Sequence, residues 1–305
     1  MRTIWLASYP KSGNTWMRML IGALAVGEDA SLDINKLPER GGLASARAPF
    51  DLLTMIDSGL LTHDEIDALR PRVTEAQARC AGSDDDENNP PPTVRFVKVH
   101  DAYTYLPNGE PLLAGAKGAD GAVVIVRDPR DVASSFANHS ARDIDSVIER
   151  MASPKSAFCD RTDLQDDQLR QHLLDWSGHV QSWLDQRDVA VHLVRYEDMI
   201  GDTAGILAGV LDFAKYRATA DQIEKAVSLS RFSNLRTLEE VIGFGEASQK
   251  TQAGRFFRRG EAGAWREELT PEQVARIELA HAPVMTRLGY ALSGVVPAKE
   301  GATAC

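Results

Sequence analysis

The chain has 305 residues, is 43% hydrophobic and carries a formal net charge of −10. That length supports one large globular core or two small ones, and the acidic balance argues against a nucleic-acid partner, so an anion site must be a local island of lysine and arginine. Cys80, Cys159 and Cys305 lie far apart without a C-x-x-C pair, which argues against a disulfide framework or zinc site.

Thr3 to Ser8 reads as a buried strand, and Asn14 to about Val26 has helical apolar spacing. The strand begins too early to leave room for a signal peptide, and no apolar run approaches the ~18 residues of a membrane span. The expectation is a cytoplasmic protein without stable membrane insertion. Residues 30–48 read as irregular, and Phe50–Ser58 and Thr62–Cys80 as helices. Thr62 and Glu65 form the capping-box pattern. The acidic, proline-rich stretch 83–92 reads as a solvated connector. Val94–Val99 and Ala122–Val126 are strands, a helix begins at Pro129, and Asp167–Gln186 is expected as another. Ala190–Arg195 is a strand, helices fill 203–240, and Phe244–Phe256 is expected to be mobile. Thr270 caps the last helix, with Pro271 and Gln273 in its first turn.

Strands alternating with helices indicate an α/β fold with a parallel sheet, in which ligands bind beyond the carboxyl ends of the strands. Three of the four strand ends carry Lys or Arg: Lys11 in PKSGNTW, Lys98 beside His100, and Arg127 with Arg130. PKSGNTW reads as a turn that presents helix N-terminal N–H groups to an anion. Gly13 permits close backbone approach, Ser12, Asn14 and Thr15 are candidate donors, and Lys11 adds a full charge. The phosphate-loop spelling G-x-x-x-x-G-K-[ST] is absent.

Five segments in order resemble the sulfotransferases that use 3′-phosphoadenosine 5′-phosphosulfate. They are YPKSGNTW at 9–16, V-K-x-H at 97–100, R-x-x-x-D-x-x-x-S at 127–135, Y-E-D-M at 196–199, and FFRRGEAGAW at 256–265. The family spells the last segment F-x-R-K-G-x-x-G-D-W, so Ala264 stands where it has Asp, and Asn14 stands where cytosolic members usually have Thr. The family's dimer pattern K-x-x-x-T-V-x-x-x-E meets Arg266, Thr270, Pro271 and Ala275, without the Val or the Glu, and the oligomeric state is left open.

The resemblance implies a single α/β domain over residues 1–292: a central parallel sheet flanked by helices, the nucleotide-kinase-like P-loop fold of sulfotransferases. Residues 27–92 would form the variable acceptor side, 243–264 a mobile lid and 293–305 a flexible tail. It implies a small-molecule hydroxyl acceptor (phenol, sugar, lipid or secondary metabolite), His100 as general base, Lys11 on the leaving oxygen and Lys98 on the sulfuryl oxygens, with no metal. Lys11, Ser12, Gly13, Asn14 and Thr15 would hold the 5′-phosphosulfate. Arg127, Ser135, Arg258, Arg259 and Gly260 would hold the 3′-phosphate, and Trp16, Tyr196, Ser230 and Phe232 the adenine. Arg258 and Arg259 would face Arg127 uncompensated until that phosphate binds, holding the lid open. The alternatives are an ATP-dependent small-molecule kinase and a non-catalytic adenine-nucleotide-binding module.

Overall fold

A computed structural model describes residues 1–27, 31–36, 42–80, 94–247 and 255–294. The connector at 83–92 and most of the expected tail lie outside these residues. Strand β1 (Arg2–Ser8) leads into α1 (Asn14–Ala23), followed by α2 (Arg47–Thr54) and α3 (His63–Cys80). Next come β2 (Val94–Val99), β3 (Gly121–Val126), α4 (Pro129–Ser140) and α5 (Ile144–Met151). Two short strands, β4 (Ala157–Phe158) and β5 (Gln171–His172), precede α6 (Trp176–Asp185), and β6 (Ala190–Arg195) runs into α7 (Tyr196–Gly201). Helices α8 (Thr203–Ala214), α9 (Ala220–Leu229), α10 (Phe232–Ile242), α11 (Trp265–Glu268) and α12 (Pro271–Arg287) follow.

The main sheet has the order β2-β1-β3-β6, and every pairing is parallel. Both faces are covered, which is why β3, GAVVIV, is buried at every position rather than alternating with polar residues. Successive side chains still point to opposite faces. Trp5, Ala7, Ala122, Val124 and Val126 enter one core with Trp176, Trp183 and Ile277. Ile4, Leu6, Val123 and Ile125 enter the other, with Met17, Leu20 and Leu207. Each buried Val, Leu or Ile contributes about 1.5–3 kcal/mol relative to exposure.

The expected parallel α/β sheet is present, and so are both capping boxes. Thr62 N donates to Glu65 Oε2 at 2.8 Å, and Gln273 N to Thr270 Oγ1 at 3.3 Å. Two helix expectations need correction. The Phe50–Ser58 helix instead spans Arg47–Thr54 and ends at Met55, whose φ of 56° is left-handed. The Asp167–Gln186 helix forms only from Trp176. Upstream of it the backbone is recruited elsewhere: Leu169 N donates to Ser45 O, Ala102 N to His172 O, and Arg47 N to Asp167 O. Leu174 is left-handed at φ 58°, and Asp175 then caps α6 by accepting from Gly178 N at 2.8 Å. Long-range pairing thus overrides local helix propensity.

Candidate active site

The carboxyl ends of β1, β2, β3 and β6 open onto one cavity of about 1120 Å³. Of the sixteen residues singled out in the sequence, its lining includes all but Ser12 and Ser230. At the end of β1 the chain turns through Lys11 at φ 68° and Gly13 at φ 106° before α1 begins. A Cβ on Gly13 would lie 2.6 Å from Cδ2 of Tyr196, so this position needs glycine for space as well as for conformation. The first turn of α1 has neither a side-chain cap nor an acidic residue, which leaves its N–H groups without a side-chain acceptor, as an anion would require.

Asn14 does not serve as the side-chain phosphate donor expected of it. Its Nδ2 donates to Leu6 O at 2.7 Å and Ser8 Oγ at 3.2 Å, so it ties the loop back onto β1. Ser12 Oγ is buried without a partner among the described residues, as is Ser230 Oγ. The Ser230 backbone carbonyl instead accepts from Trp16 Nε1 at 2.9 Å. Trp16 meets Tyr196 edge-on at 5.8 Å, and Phe232 packs beside Gly260, where a Cβ would fall 2.3 Å from the ring. Trp16, Tyr196 and Phe232 all line the cavity.

Arg127 stacks over Tyr196 at 4.3 Å and donates to the carbonyls of Lys11 at 3.3 Å and Glu261 at 3.0 Å. Asp128 is occupied as the α4 cap and in a buried pair with Arg130. Asp131 accepts from Gly263 N and Trp265 N at 2.7 and 2.9 Å, and so anchors the loop that lacks the family's Asp at position 264. Arg258 and Arg259 are not uncompensated. Arg258 makes two 2.7 Å bonds to Glu268, and Arg259 donates to Glu267 at 2.9 Å. Glu239 accepts from Phe256 N and Phe257 N, so the described part of the 243–264 segment is docked, while residues 248–254 lie outside the description. The charge-repulsion reason for an open lid therefore fails.

His100 is held by its Nδ1, 2.8 Å from Ser8 O. A carbonyl only accepts, so Nδ1 carries the proton and Nε2 is left with a lone pair. Burial, and then the charge of Lys98, push the imidazole down to about 3. Burial, followed by Lys98 and Arg127, brings Lys11 down to about 7. The Lys11 ammonium lies 3.8 Å over the ring of Phe256. Lys98 donates to Glu246 at 3.1 Å, and Glu246 also pairs with Arg18. Burial would raise the Glu246 carboxyl, but Lys98 and Arg18 outweigh it and hold the group below its ordinary value.

Several lining residues were missed in the sequence: Glu246, His139, Gln171, Gln168 and Asp166. A signal existed for one of them. Asp131, Ser135 and His139 recur every four residues along α4, which places them on one face. The others come from irregular chain or from the two-residue strand β5, where periodicity gives no guide. Among the described residues, no group of three or more His, Cys, Asp or Glu side chains is placed to hold a metal ion, and no helix is long and apolar enough to cross a membrane.

The family description "sulfotransferase domain" matches residues 1–289. The chain belongs to the sulfotransferase family. It is an enzyme of the class that transfers sulfur-containing groups. Cytosolic sulfotransferase 17 of Arabidopsis thaliana is 26% identical over 285 residues, covering 90% of this chain and 71% of that protein. Flavonol 3-sulfotransferase of Flaveria bidentis is 24% identical over 286 residues, covering 90% and 79%. Among solved structures, retinol dehydratase in complex with androsterone and the inactive cofactor PAP shares the fold at a TM-score of 0.57, with 20% identity and coverage of 93% of this chain and 81% of that one. A mouse sulfotransferase complexed with PAP gives 0.53, with 19% identity and coverage of 93% and 84%.

Proposed function

We propose that this sulfotransferase moves a sulfuryl group from 3′-phosphoadenosine 5′-phosphosulfate to a hydroxyl of a small-molecule acceptor, with His100 as general base. The observation that carries the reading is the anchoring of His100 through Nδ1, which reserves Nε2 as an acceptor inside a cavity that also holds Lys11, Lys98 and the start of α1. The residues present fit the donor. The open N–H groups of α1 and Lys11 suit a 5′-anion, Trp16, Phe232 and Tyr196 suit a base, and Arg127 faces a second anion from its stack on Tyr196. When bound, the donor supplies the electrophilic sulfuryl group and the adenosine 3′,5′-bisphosphate leaving group.

His100 Nε2 takes the hydroxyl proton as the acceptor oxygen engages sulfur. An imidazole at about 3 is a weak base, and Lys98 is part of the reason. Negative charge beside Lys98 and Lys11 offsets their repulsion and raises the imidazole toward the useful range. Lys11 faces the charge that develops on the departing oxygen, and Lys98 leaves Glu246 for the sulfuryl oxygens. Arg258 exchanges Glu268 for the 3′-phosphate, with Ser135, Arg259 and Gly260 beside it. The scheme asks for no metal. A lid over residues 243–264 rests on this exchange alone, and hydrogen exchange in 255–264 that stays unchanged on adding the bisphosphate would remove it. Residues 1–292 act as one domain, and a cytoplasmic setting follows the cytosolic relatives.

The test is calorimetry with adenosine 3′,5′-bisphosphate and adenosine 5′-monophosphate, followed by turnover of labelled donor. Clear preference for the bisphosphate is expected, because charge-assisted hydrogen bonds to the second phosphate contribute roughly 1.5–3 kcal/mol each. Equal affinities would sink the assignment. No observation favours the kinase or the non-catalytic module.

A further inference from the structure

His100 lies one residue past the last register pair of β1 and β2, Ala7 with Val99, so its place depends on what holds the chain beyond it. Asp101 O accepts from Trp183 Nε1 at 2.9 Å, and Ala102 N donates to His172 O at 2.6 Å. The Asp101 carboxylate accepts from His172 N at 3.0 Å and from both terminal nitrogens of Arg70, Nη1 at 3.1 Å and Nη2 at 2.7 Å. Asp101 and Arg70 are 0% and 2% exposed, and both lie outside the lining of the cavity. Arg70 is itself braced on α3. Its Nη1 also donates to Arg170 O at 2.9 Å, and Asp67 stands 3.6 Å away. Asp67 in turn accepts from His172 Nε2 at 2.8 Å and pairs with Arg170. Burial would lower the Arg70 guanidinium, but Asp101 and then Asp67 outweigh it and hold the group above its ordinary value. A buried pair of this kind adds little net stability over apolar residues of the same shape, whereas its fork-to-carboxylate geometry fixes where the two partners stand.

We propose that Arg70 is a positioning residue for the general base: through Asp101 it fixes the chain at His100 so that the ring keeps Nδ1 on Ser8 O and Nε2 free for the acceptor hydroxyl. The choice of partner matters because a second one is close. Ser8 Oγ lies 3.4 Å from the same Nδ1, against 2.8 Å for Ser8 O. The carbonyl only accepts, so it keeps the proton on Nδ1. The hydroxyl can also donate. A shift of the His100 backbone that trades the carbonyl for the hydroxyl lets the proton move to Nε2, and a ring protonated there cannot take the acceptor proton. Arg70 touches no substrate in this scheme and acts only through Asp101. The inference rests on the sulfotransferase reading with His100 as base.

Nitrogen NMR of histidine-labelled protein with adenosine 3′,5′-bisphosphate bound reads the His100 ring, and the signal lost in His100→Ala assigns it. The wild-type ring should show one neutral tautomer with its proton on Nδ1. Arg70→Met and Asp101→Asn should each bring in the second tautomer, as new or averaged signals, and Arg70→Lys, which keeps the charge but loses the fork, should fall between. Turnover of labelled donor on 2-naphthol should drop roughly tenfold to a hundredfold in kcat with donor KM near wild type. The same substitutions in a His100→Ala background should produce no further fall. Calorimetry with the bisphosphate checks that each variant is folded. Where a single variant leaves a buried charge that prevents folding, the double variant Arg70→Met with Asp101→Asn removes both charges. A folded variant whose His100 keeps the wild-type signals, or an equal loss of kcat with and without His100, overturns the inference alone, and where 2-naphthol is not an acceptor the tautomer decides. Failure of the wild-type protein to bind the bisphosphate, or a wild-type proton on Nε2, instead overturns the reading on which the inference rests.

Discussion

The two ends of the cavity are built by different means. At the end proposed for the nucleotide, short contiguous segments hang on consecutive strand ends: residues 9–16 after β1, 127–135 after β3, and 196–199 after β6. At the other end the wall is composite. It comes from Gly42 and Leu43, from the β4–β5 pair, and from Gln168, held together by backbone bonds between segments more than a hundred residues apart. A site made from contiguous motifs keeps its chemistry when distant loops change. A composite wall changes its chemistry whenever one of its segments does, which suits a constant donor and a variable acceptor.

The largest expected effect breaks chemistry from binding. His100→Ala should lower kcat by roughly two to four decades while the bisphosphate Kd in calorimetry stays near wild type; full turnover at neutral pH would place the base elsewhere. Arg127→Ala comes next. It removes a guanidinium that stacks on Tyr196 and bonds the Lys11 and Glu261 carbonyls. The bisphosphate should bind about 10–100-fold more weakly and the 5′-monophosphate almost unchanged; equal losses would show that Arg127 only braces the loop.

A pH effect sharpens the nucleotide end alone. Lys11 sits at about 7, below its ordinary 10.5, so it is charged below that pH and neutral above it. An anion favours the charged form, so binding takes up a proton, and affinity should fall about tenfold between pH 6 and pH 8. Calorimetry in buffers of different ionisation enthalpy reads the proton directly, and Lys11→Met should flatten the profile. The smallest effect is at Glu246, which competes for Lys98. Because this ion pair is partly exposed, Glu246→Gln should tighten donor binding only a few-fold. Weaker binding would mean that Glu246 holds Lys98 in place instead.

What was legible in the sequence follows the same division. The parallel sheet was readable because apolar runs such as Ala122–Val126 are buried on both faces, and the turn after β1 because Tyr9 to Gly13 sits between a strand and a helix. Residues 167–175 were misread as helix, since what decides them is the backbone of Ser45, Arg47 and Ala102, far away in sequence. The same misreading hid Gln171 and Gln168. Asn14 was assigned the wrong partner because a donor's direction depends on the turn: the backbone there aims the amide at Leu6 O. Arg258 was taken as unpaired although Glu268 lies only ten residues on. Only the folded turn through Gly260 and Gly263, both at positive φ, brings that carboxylate back to it.

Phe256 carries the Lys11 ammonium on its face and His139 at its edge. Its backbone is pinned by Glu239, and Phe244 and Phe257 pack within 5.1 Å of it. Under the proposed function the ring is a single mechanical part between the two substrates: a nucleotide that draws Lys11 away frees its face, and any shift of the ring moves the edge that meets His139. Occupancy at one end must then be felt at the other as a cooperativity factor, equal in both directions because binding energies form a closed cycle. The order in which donor and acceptor enter, and the ease with which spent nucleotide departs, become properties of one phenylalanine.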